Sequence, residues 1–307
     1  MYDHDLVIIG MGSAGLPAGM YASRYKISNV VIGALPGGAL GTSHCVENYP
    51  GTTSESGHSI MARFAEHAKA SGSELLTDEV ISLDQLPEGG FETKTAGGKT
   101  FRSRFALLAT GNAYKKLGVP GEAEYLGRGV SYCATCDGMF FKGKTVAMVG
   151  GGDAAVTEAL YLAEIAAKVF ILIRGDMPRA EKIWVDKALA RDNIEFLPNT
   201  EVAEVRGDVM GMTGLLLKSG ETLAANGVFV AIGSLPNTKL VDHMGPAKDA
   251  TGCIVVDARQ ATSIPGLYAA GDITTNSNKF KQTIMSAAEG CLSANSIHED
   301  LLRSDAH

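Results

Sequence analysis

Three observations predict an α/β chain made of two Rossmann-like dinucleotide-binding domains, the second inserted into the first. A Gly-x-Gly-x-x-Gly turn joins an apolar strand to a helix at the start of the chain. A second glycine turn in the same strand–turn–helix setting follows about 140 residues later. Two strand-into-glycine segments, Leu107–Asn112 and Gly266–Asp272, flank that second copy. The first module is therefore expected from both ends of the chain, residues 1–114 and 245–307, with the second spanning 115–244. The crossings fall at Asn112–Leu117 and Val241–Pro246, where a few residues at element ends can act as a hinge.

The first unit begins with Leu6-Val7-Ile8-Ile9, an apolar run of strand length, and Gly10-Met11-Gly12-Ser13-Ala14-Gly15 follows it. Ala14, Ala18, Tyr21, Ala22 and Tyr25 recur at helical spacing and predict the packing face of the next helix. Asn29–Ile32 supplies the second strand. In this setting Gly10 permits the tight turn, Gly12 the approach of a pyrophosphate, and Gly15 close helix–strand packing. The helix N-terminus adds free amides and partial positive charge.

The second copy reads Lys144–Val149, then Gly150-Gly151-Gly152-Asp153-Ala154-Ala155, with Val156, Ala159, Leu160 and Ala163 on one helix face and Val169–Ile173 as the next strand. Two modules imply two dinucleotides, one held permanently and one exchanging. Asp272 stands at the tip of a late strand, where flavin enzymes place an acid against the ribityl chain. Ile284, Ala288, Cys291 and Asn295 mark the expected face of the last helix.

Composition bounds the partners. The 307 residues are 45% hydrophobic, with 37 glycines, and carry a net charge of −7 from 27 basic and 34 acidic side chains. An acidic chain without a basic run is unsuited to nucleic acid or an anionic membrane surface. No run reaches the roughly 18 apolar residues of a membrane span, and the N-terminus lacks a secretion signal, so a cytoplasmic protein is expected. Five cysteines with one close pair do not form a secreted disulfide framework.

That pair, Cys133-Ala134-Thr135-Cys136, carries the chemistry. Cysteines separated by two residues form an exchangeable disulfide whose poise follows thiolate stabilisation. A zinc site would need two more ligands, and no second Cys-x-x-Cys or spaced histidine pair is present. Inert buried thiols are the alternative. Asp137 argues against it, because dithiol exchange needs a base and then an acid beside the leaving sulfur.

These segments together resemble the low-molecular-weight thioredoxin reductases. The matching pieces, in family order, are Gly10–Gly15, Val46–Gly51, Ala109–Gly111, Tyr132–Gly138, Gly150–Ala155, Ala270–Asp272 and Lys281–Thr283. The resemblance implies a homodimer with one FAD per chain and a domain rotation that presents the cysteines or the nicotinamide to the flavin. It implies FAD contacts from Gly10, Gly12, Ser13, Ala14, Gly15, Gly38, Asn48, Thr110, Gly111, Gly271, Asp272, Gln282 and Thr283. The nicotinamide nucleotide would meet Gly150, Gly152, Asp153, Ala154, Arg174 and Arg179. Cys136 would lie nearest the flavin, Cys133 would attack the partner disulfide, and Asp137 would move the proton. Phe140, Phe141 and Arg128 would meet thioredoxin or a thioredoxin-like protein.

The chain departs from the family where NADPH is marked. Arg174 and Arg179 stay in register, but Ile173 and Gly175 replace the clustered His and second Arg. A ribose phosphate favours guanidinium donors, whereas NADH would call for an acid near Ile173 or Arg174. The reading is NADPH, with NADH as the alternative and a ferredoxin-dependent or oxygen-coupled flavin dithiol enzyme as the rival. Cys45 is expected to be a buried spectator.

Overall fold

The computed structural model describes residues 2–43, 46, 48–276 and 280–304, apart from the side chains of Thr135, Cys136 and Ser234. Two compact units are present: Met1–Ala113 with Leu235–His307, and Tyr114–Ser234.

In the first unit, β1 (His4–Ile9), α1 (Gly15–Arg24) and β2 (Asn29–Ile32) follow one another as the apolar runs suggest. α2 (Gly57–Ser71) starts where Ser56 Oγ accepts from Ser59 N at 3.2 Å and stops at Gly72 with φ of 112°, an N-cap and a left-handed C-terminal glycine. Then come β3 (Glu74–Leu76), β4 (Val80–Gln85), β5 (Phe91–Thr95) and β6 (Thr100–Leu108). The C-terminal part returns β17 (Leu267–Ala269) and α6 (Thr283–Ser304). Strands lie in the order β3-β2-β1-β6-β5-β4, with β17 also on β6. β1 runs parallel to both neighbours, Ile9 opposite Ile32 and Leu108. The long β6 has two partners besides β1. Thr100–Ser103 pair antiparallel with β5, and Ala106–Leu108 pair parallel with β17.

Alternate side chains of a strand point to opposite faces, so β1 feeds two cores. Leu6 and Ile8 pack with Leu16, Ala18 and Ala22 of α1 and with Ala294 and Ile297 of α6. Val7 and Ile9 pack with Leu83, Phe91, Val241 and Ile264. Burying each such aliphatic side chain contributes roughly 1.5–3 kcal/mol.

Two expected helix faces are corrected. On α1, Ala18 and Ala22 are buried but Tyr21 is exposed. On α6, Ile284 and Ala288 are exposed and Cys291 and Asn295 only partly covered, while Ser286, Gly290, Ser293 and Ile297 are buried. Close approach to α1 selects this face, since a Cβ on Gly290 would collide with the Ala14 carbonyl. Hydrophobic periodicity does not register a seam made of serine and glycine.

The chain leaves the first unit along β7 (Asn112–Tyr114). The second unit contains β8 (Val130–Ser131), α3 (Ala134–Asp137), β9 (Thr145–Val149), α4 (Asp153–Ala163), β10 (Lys168–Leu172), α5 (Lys182–Leu189) and β11 (Ile194–Leu197). After these come β12 (Val202–Asp208), β13 (Gly211–Leu217), β14 (Thr222–Ala224) and β15 (Gly227–Val230). A parallel sheet has the order β11-β10-β9-β15-β8. Val146, Met148 and Ile171 pack on one face with Ala155, Ala159 and Leu162 of α4. Ala147, Val149, Val228 and Val230 meet Val205, Met212 and Leu215 of the antiparallel β12-β13-β14 layer on the other. β16 (Ser234–Pro236) pairs with β7 as the chain returns. The second unit ends at Ser234 rather than at 244, because Leu240, Val241 and Met244 pack in the first unit's core.

Candidate nucleotide and redox sites

The first site forms at the carboxyl ends of β1, β6 and β17. Gly10 turns the chain with φ of 121°, and a Cβ there would collide with the Ala109 carbonyl. A Cβ on Gly15 would strike the Gly10 carbonyl, so the helix enters as close to the strand as glycine allows. Gly12 is different, since an added Cβ would touch only the Gly38 Cα, at 3.7 Å. Gly38, with φ of 57°, stands opposite it. Gly37 N donates to Met11 O at 2.9 Å and Gly10 N to Ile32 O at 2.7 Å, which ties the two turns together. No side chain caps α1, and no acidic residue stands in its first turn around Ser13 and Ala14. Two facing glycines before an uncapped helix fit a dinucleotide pyrophosphate.

Around this cradle, Asn48 Nδ2 donates to Gln282 Oε1 at 3.0 Å, just before Thr283 opens α6. Thr110 Oγ1 donates to Asn237 O at 2.8 Å, and Gly111 follows with φ of 61°. Asp272 accepts from Asn112 Nδ2 and Ser286 Oγ, each at 3.4 Å. Burial raises its pKa against the opposing pull of Lys281 and Ser286. Lys281 Nζ donates to Asp272 O at 2.7 Å. Glu289 went unnoticed in the sequence. It is buried, and its Oε2 accepts from Gly271 N at 2.7 Å and Thr274 Oγ1 at 3.2 Å. A charged residue in the serine–glycine stripe of α6 was the available signal.

The second site repeats the arrangement on β9. Gly150 has φ of 147°, and a Cβ would collide with the Ala231 carbonyl. Gly152, at the N-terminus of α4, faces open space, with nothing within 4 Å of an added Cβ and no side-chain cap. Arg179 N and Ala180 N both donate to Gly151 O, at 2.5 and 3.0 Å. Asp153 Oδ1 accepts from Glu181 N at 2.6 Å. The 174–181 loop is thus latched over the glycine turn, and Arg174, Arg179 and Ala154 are all exposed. Asp176 is engaged by Asn199 Nδ2 at 2.9 Å. Open glycine backbone, an uncapped helix and two exposed guanidinium groups fit a second dinucleotide.

Cys133 is disulfide-bonded, in a turn where its N–H donates to Ser131 Oγ at 3.0 Å and its carbonyl accepts from Asp137 N at 3.2 Å. Asp137 closes α3 and is partly buried. Tyr132 OH donates to Glu122 Oε1 at 2.6 Å, while Glu122 also accepts from Leu117 N and Gly118 N, each at 2.7 Å. Burial first, then the Glu122 carboxylate, raises the Tyr132 pKa. Of the expected contact residues, Phe140 is 73% exposed. Phe141 is a correction: it is buried edge-on to Phe229, ring centroids 5.3 Å apart, because Gly227 leaves room for its ring. Arg128 lies over the Tyr125 ring and donates to Glu124 O at 2.9 Å. Cys45 lies outside the described residues. Among those described, no helix is long and apolar enough to cross a membrane.

Two glycine-turn nucleotide sites and a redox disulfide on one chain define a two-module dinucleotide-dependent oxidoreductase. The chain belongs to the pyridine nucleotide-disulphide oxidoreductase family, whose model matches residues 4–290. It is 39% identical over 300 residues to a thioredoxin reductase of Bacillus subtilis, covering 96% of this chain and 93% of that one. The crystal structure of a Lactococcus lactis thioredoxin reductase superposes with a TM-score of 0.92 at 32% identity, covering 98% of this chain and 100% of that one. A glucosaminate ammonia-lyase of Pseudomonas fluorescens is 40% identical over 303 residues, covering 94% of this chain and 93% of that one.

Proposed function

We propose that the chain is a cytoplasmic, homodimeric thioredoxin reductase that draws electrons from NADPH and delivers them through FAD and the Cys133–Cys136 pair to a thioredoxin-like protein. The carrying observation is the disulfide at Cys133, set in the Cys-Ala-Thr-Cys-Asp turn of the unit that bears the second glycine site. Similarity by itself does not choose the substrate, because the ammonia-lyase is as close in sequence as the reductases.

FAD, when bound, supplies two-electron chemistry between a nicotinamide and a disulfide. Gly10, Gly12 and the Ser13–Gly15 amides would hold its pyrophosphate, with Gly38, Asn48, Thr110, Gly111, Gly271, Asp272, Gln282 and Thr283 around the rest. Gly150, Gly152 and the amides of Asp153 and Ala154 would hold the nicotinamide nucleotide. Arg174 and Arg179 favour a 2′-phosphate, and the acid between them in sequence, Asp176, is engaged by Asn199. In the reduced pair, the Cys133 thiolate attacks the partner disulfide and one partner sulfur leaves, taking a proton from Asp137. Cys136 then displaces the second partner sulfur and restores the protein disulfide, so two electrons and two protons pass to the partner.

Anaerobic titration with NADPH and, separately, NADH tests the donor through flavin absorbance. Stoichiometric bleaching by NADPH at lower concentration than by NADH is expected. If neither bleaches a flavin that dithionite reduces, the donor assignment fails and ferredoxin or oxygen coupling takes its place. Replacing Cys136→Ser should leave FAD bound and abolish disulfide reduction.

A further inference from the structure

Asp272 stands on a turn that has already left the sheet. Ala270 N donates to Leu108 O at 2.9 Å at the end of the pairing between β17 and β6, and Gly271 then turns with φ of 81°. Thr274 N donates back to Gly271 O at 2.9 Å, which closes a four-residue turn with Asp272 second in it. The Gly271 N–H is buried and lies past the last strand partner, so it needs an acceptor from elsewhere. Glu289 of α6 supplies one. Its Oε2 accepts from Gly271 N at 2.7 Å and from Thr274 Oγ1 at 3.2 Å, the first and last residues of the turn.

The same face of α6 meets the other cofactor turn. A Cβ on Gly290 would collide with the Ala14 carbonyl, and one on Gly271 would come within 3.2 Å of the Ala14 Cβ and 3.3 Å of Ser286 Oγ. Ser286, one helical turn before Glu289, donates to Asp272 Oδ1 at 3.4 Å. The helix therefore touches Ala14 of the glycine turn and both ends of the turn that carries Asp272. Glu289 is only 5% exposed, and burying a carboxylate is costly unless it is hydrogen-bonded. A leucine would fill the position without that cost, but it would leave the Gly271 amide unpaired.

We propose that Glu289 is a positioning residue for the flavin site, whose carboxylate clips the two ends of the Gly271–Thr274 turn and so fixes Asp272 relative to the Ser13–Gly15 amides. This rests on the assignment of that site to FAD. The bonds that set the turn come from a helix side chain, so the helix that packs on Ala14 also carries the acid's support. Both halves of the cradle thus keep one reference.

The test follows release of FAD from the purified FAD-loaded enzyme, read as the rise of free-flavin fluorescence on dilution. Glu289→Leu should speed release about tenfold or more, since a buried N–H is left without an acceptor. Glu289→Gln should stay within about threefold of wild type, because one amide oxygen can accept from both Gly271 N and Thr274 Oγ1. Thr274→Val keeps the carboxylate; it should speed release about two- to fivefold alone and add nothing to Glu289→Leu, as for partners in one network. Ser293→Ala is the control for general loosening of the helix: its buried Oγ donates to Glu289 O at 2.8 Å, and losing it should lower the unfolding temperature without changing release. Release from Glu289→Leu at the wild-type rate, a Gln variant as fast as the Leu one, or equal acceleration by Ser293→Ala overturns the proposal. If Glu289→Leu does not fold, Thr274→Val decides, and an unchanged rate there overturns it. Failure of the site assignment looks different: Gly12→Ala, which fills the space assigned to the pyrophosphate, would then release FAD as wild type does.

Discussion

Replacing Gly152→Ala separates nucleotide binding from folding. Gly152 has φ of −93° and ψ of 178°, a backbone any residue adopts, and an added Cβ meets nothing within 4 Å. Alanine is a poorer N-cap than glycine by about 0.5–1 kcal/mol, offset by about 0.4–1 kcal/mol from a less flexible unfolded chain. The unfolding temperature should therefore stay within about 3 °C of wild type. The same methyl would occupy the space the pyrophosphate needs. Losing one or two charge-assisted amide–phosphate bonds, about 1.5–3 kcal/mol each, weakens NADPH at least about tenfold. Gly150→Ala is the control: φ of 147° and collision with the Ala231 carbonyl should cost about 3 kcal/mol or more and lower the unfolding temperature clearly. Differential scanning fluorimetry and NADPH titration of both variants provide the readout. A Gly152→Ala protein that is stable and binds NADPH as tightly as wild type would refute the reasoning.

Three further outcomes are expected. The Glu158 pKa lies at about 7 against an ordinary 4.5, so between those values the native state keeps a proton that the unfolded chain has released. Stability should fall as pH rises through that window, by about 3 kcal/mol at most, and Glu158→Gln should flatten the fall in urea denaturation series at pH 5 to 8. Leu162→Ala, at a fully buried position under the cysteine turn, should destabilise by about 2–5 kcal/mol, measured in the same series. Phe140→Ala removes a 73% exposed side chain and should leave stability within about 0.5 kcal/mol while raising the KM for thioredoxin; an unchanged KM removes Phe140 from the contact.

Both nucleotide turns were legible in the sequence because their constraints act at single residues. Only glycine tolerates the φ values at Gly10 and Gly150, and apolar strands before them set the context. Pairs brought together across long stretches, such as Asn48 with Gln282, became visible only through family resemblance. The seam of α6 was missed because its packing depends on small side chains rather than apolar ones. Phe141 was misplaced because neighbouring aromatics look alike until Gly227 is seen to make room for one of them. Glu122 reads as an ordinary surface acid in sequence, since nothing local announces that the backbone amides of Leu117 and Gly118 will need an acceptor.

The attachment of the 174–181 loop has a consequence for how cofactor preference is inherited. Arg179 and Ala180 fasten it to Gly151 through main-chain groups, which every residue except proline supplies on the donor side. Apart from Asp176, which Asn199 engages, side chains on the loop are therefore released from holding its shape. Gly175 shows this most directly, because an added Cβ there meets nothing and its φ lies outside the left-handed region. Selectivity for the ribose phosphate can drift, or be engineered by Gly175→Arg, while the scaffold beneath stays the same.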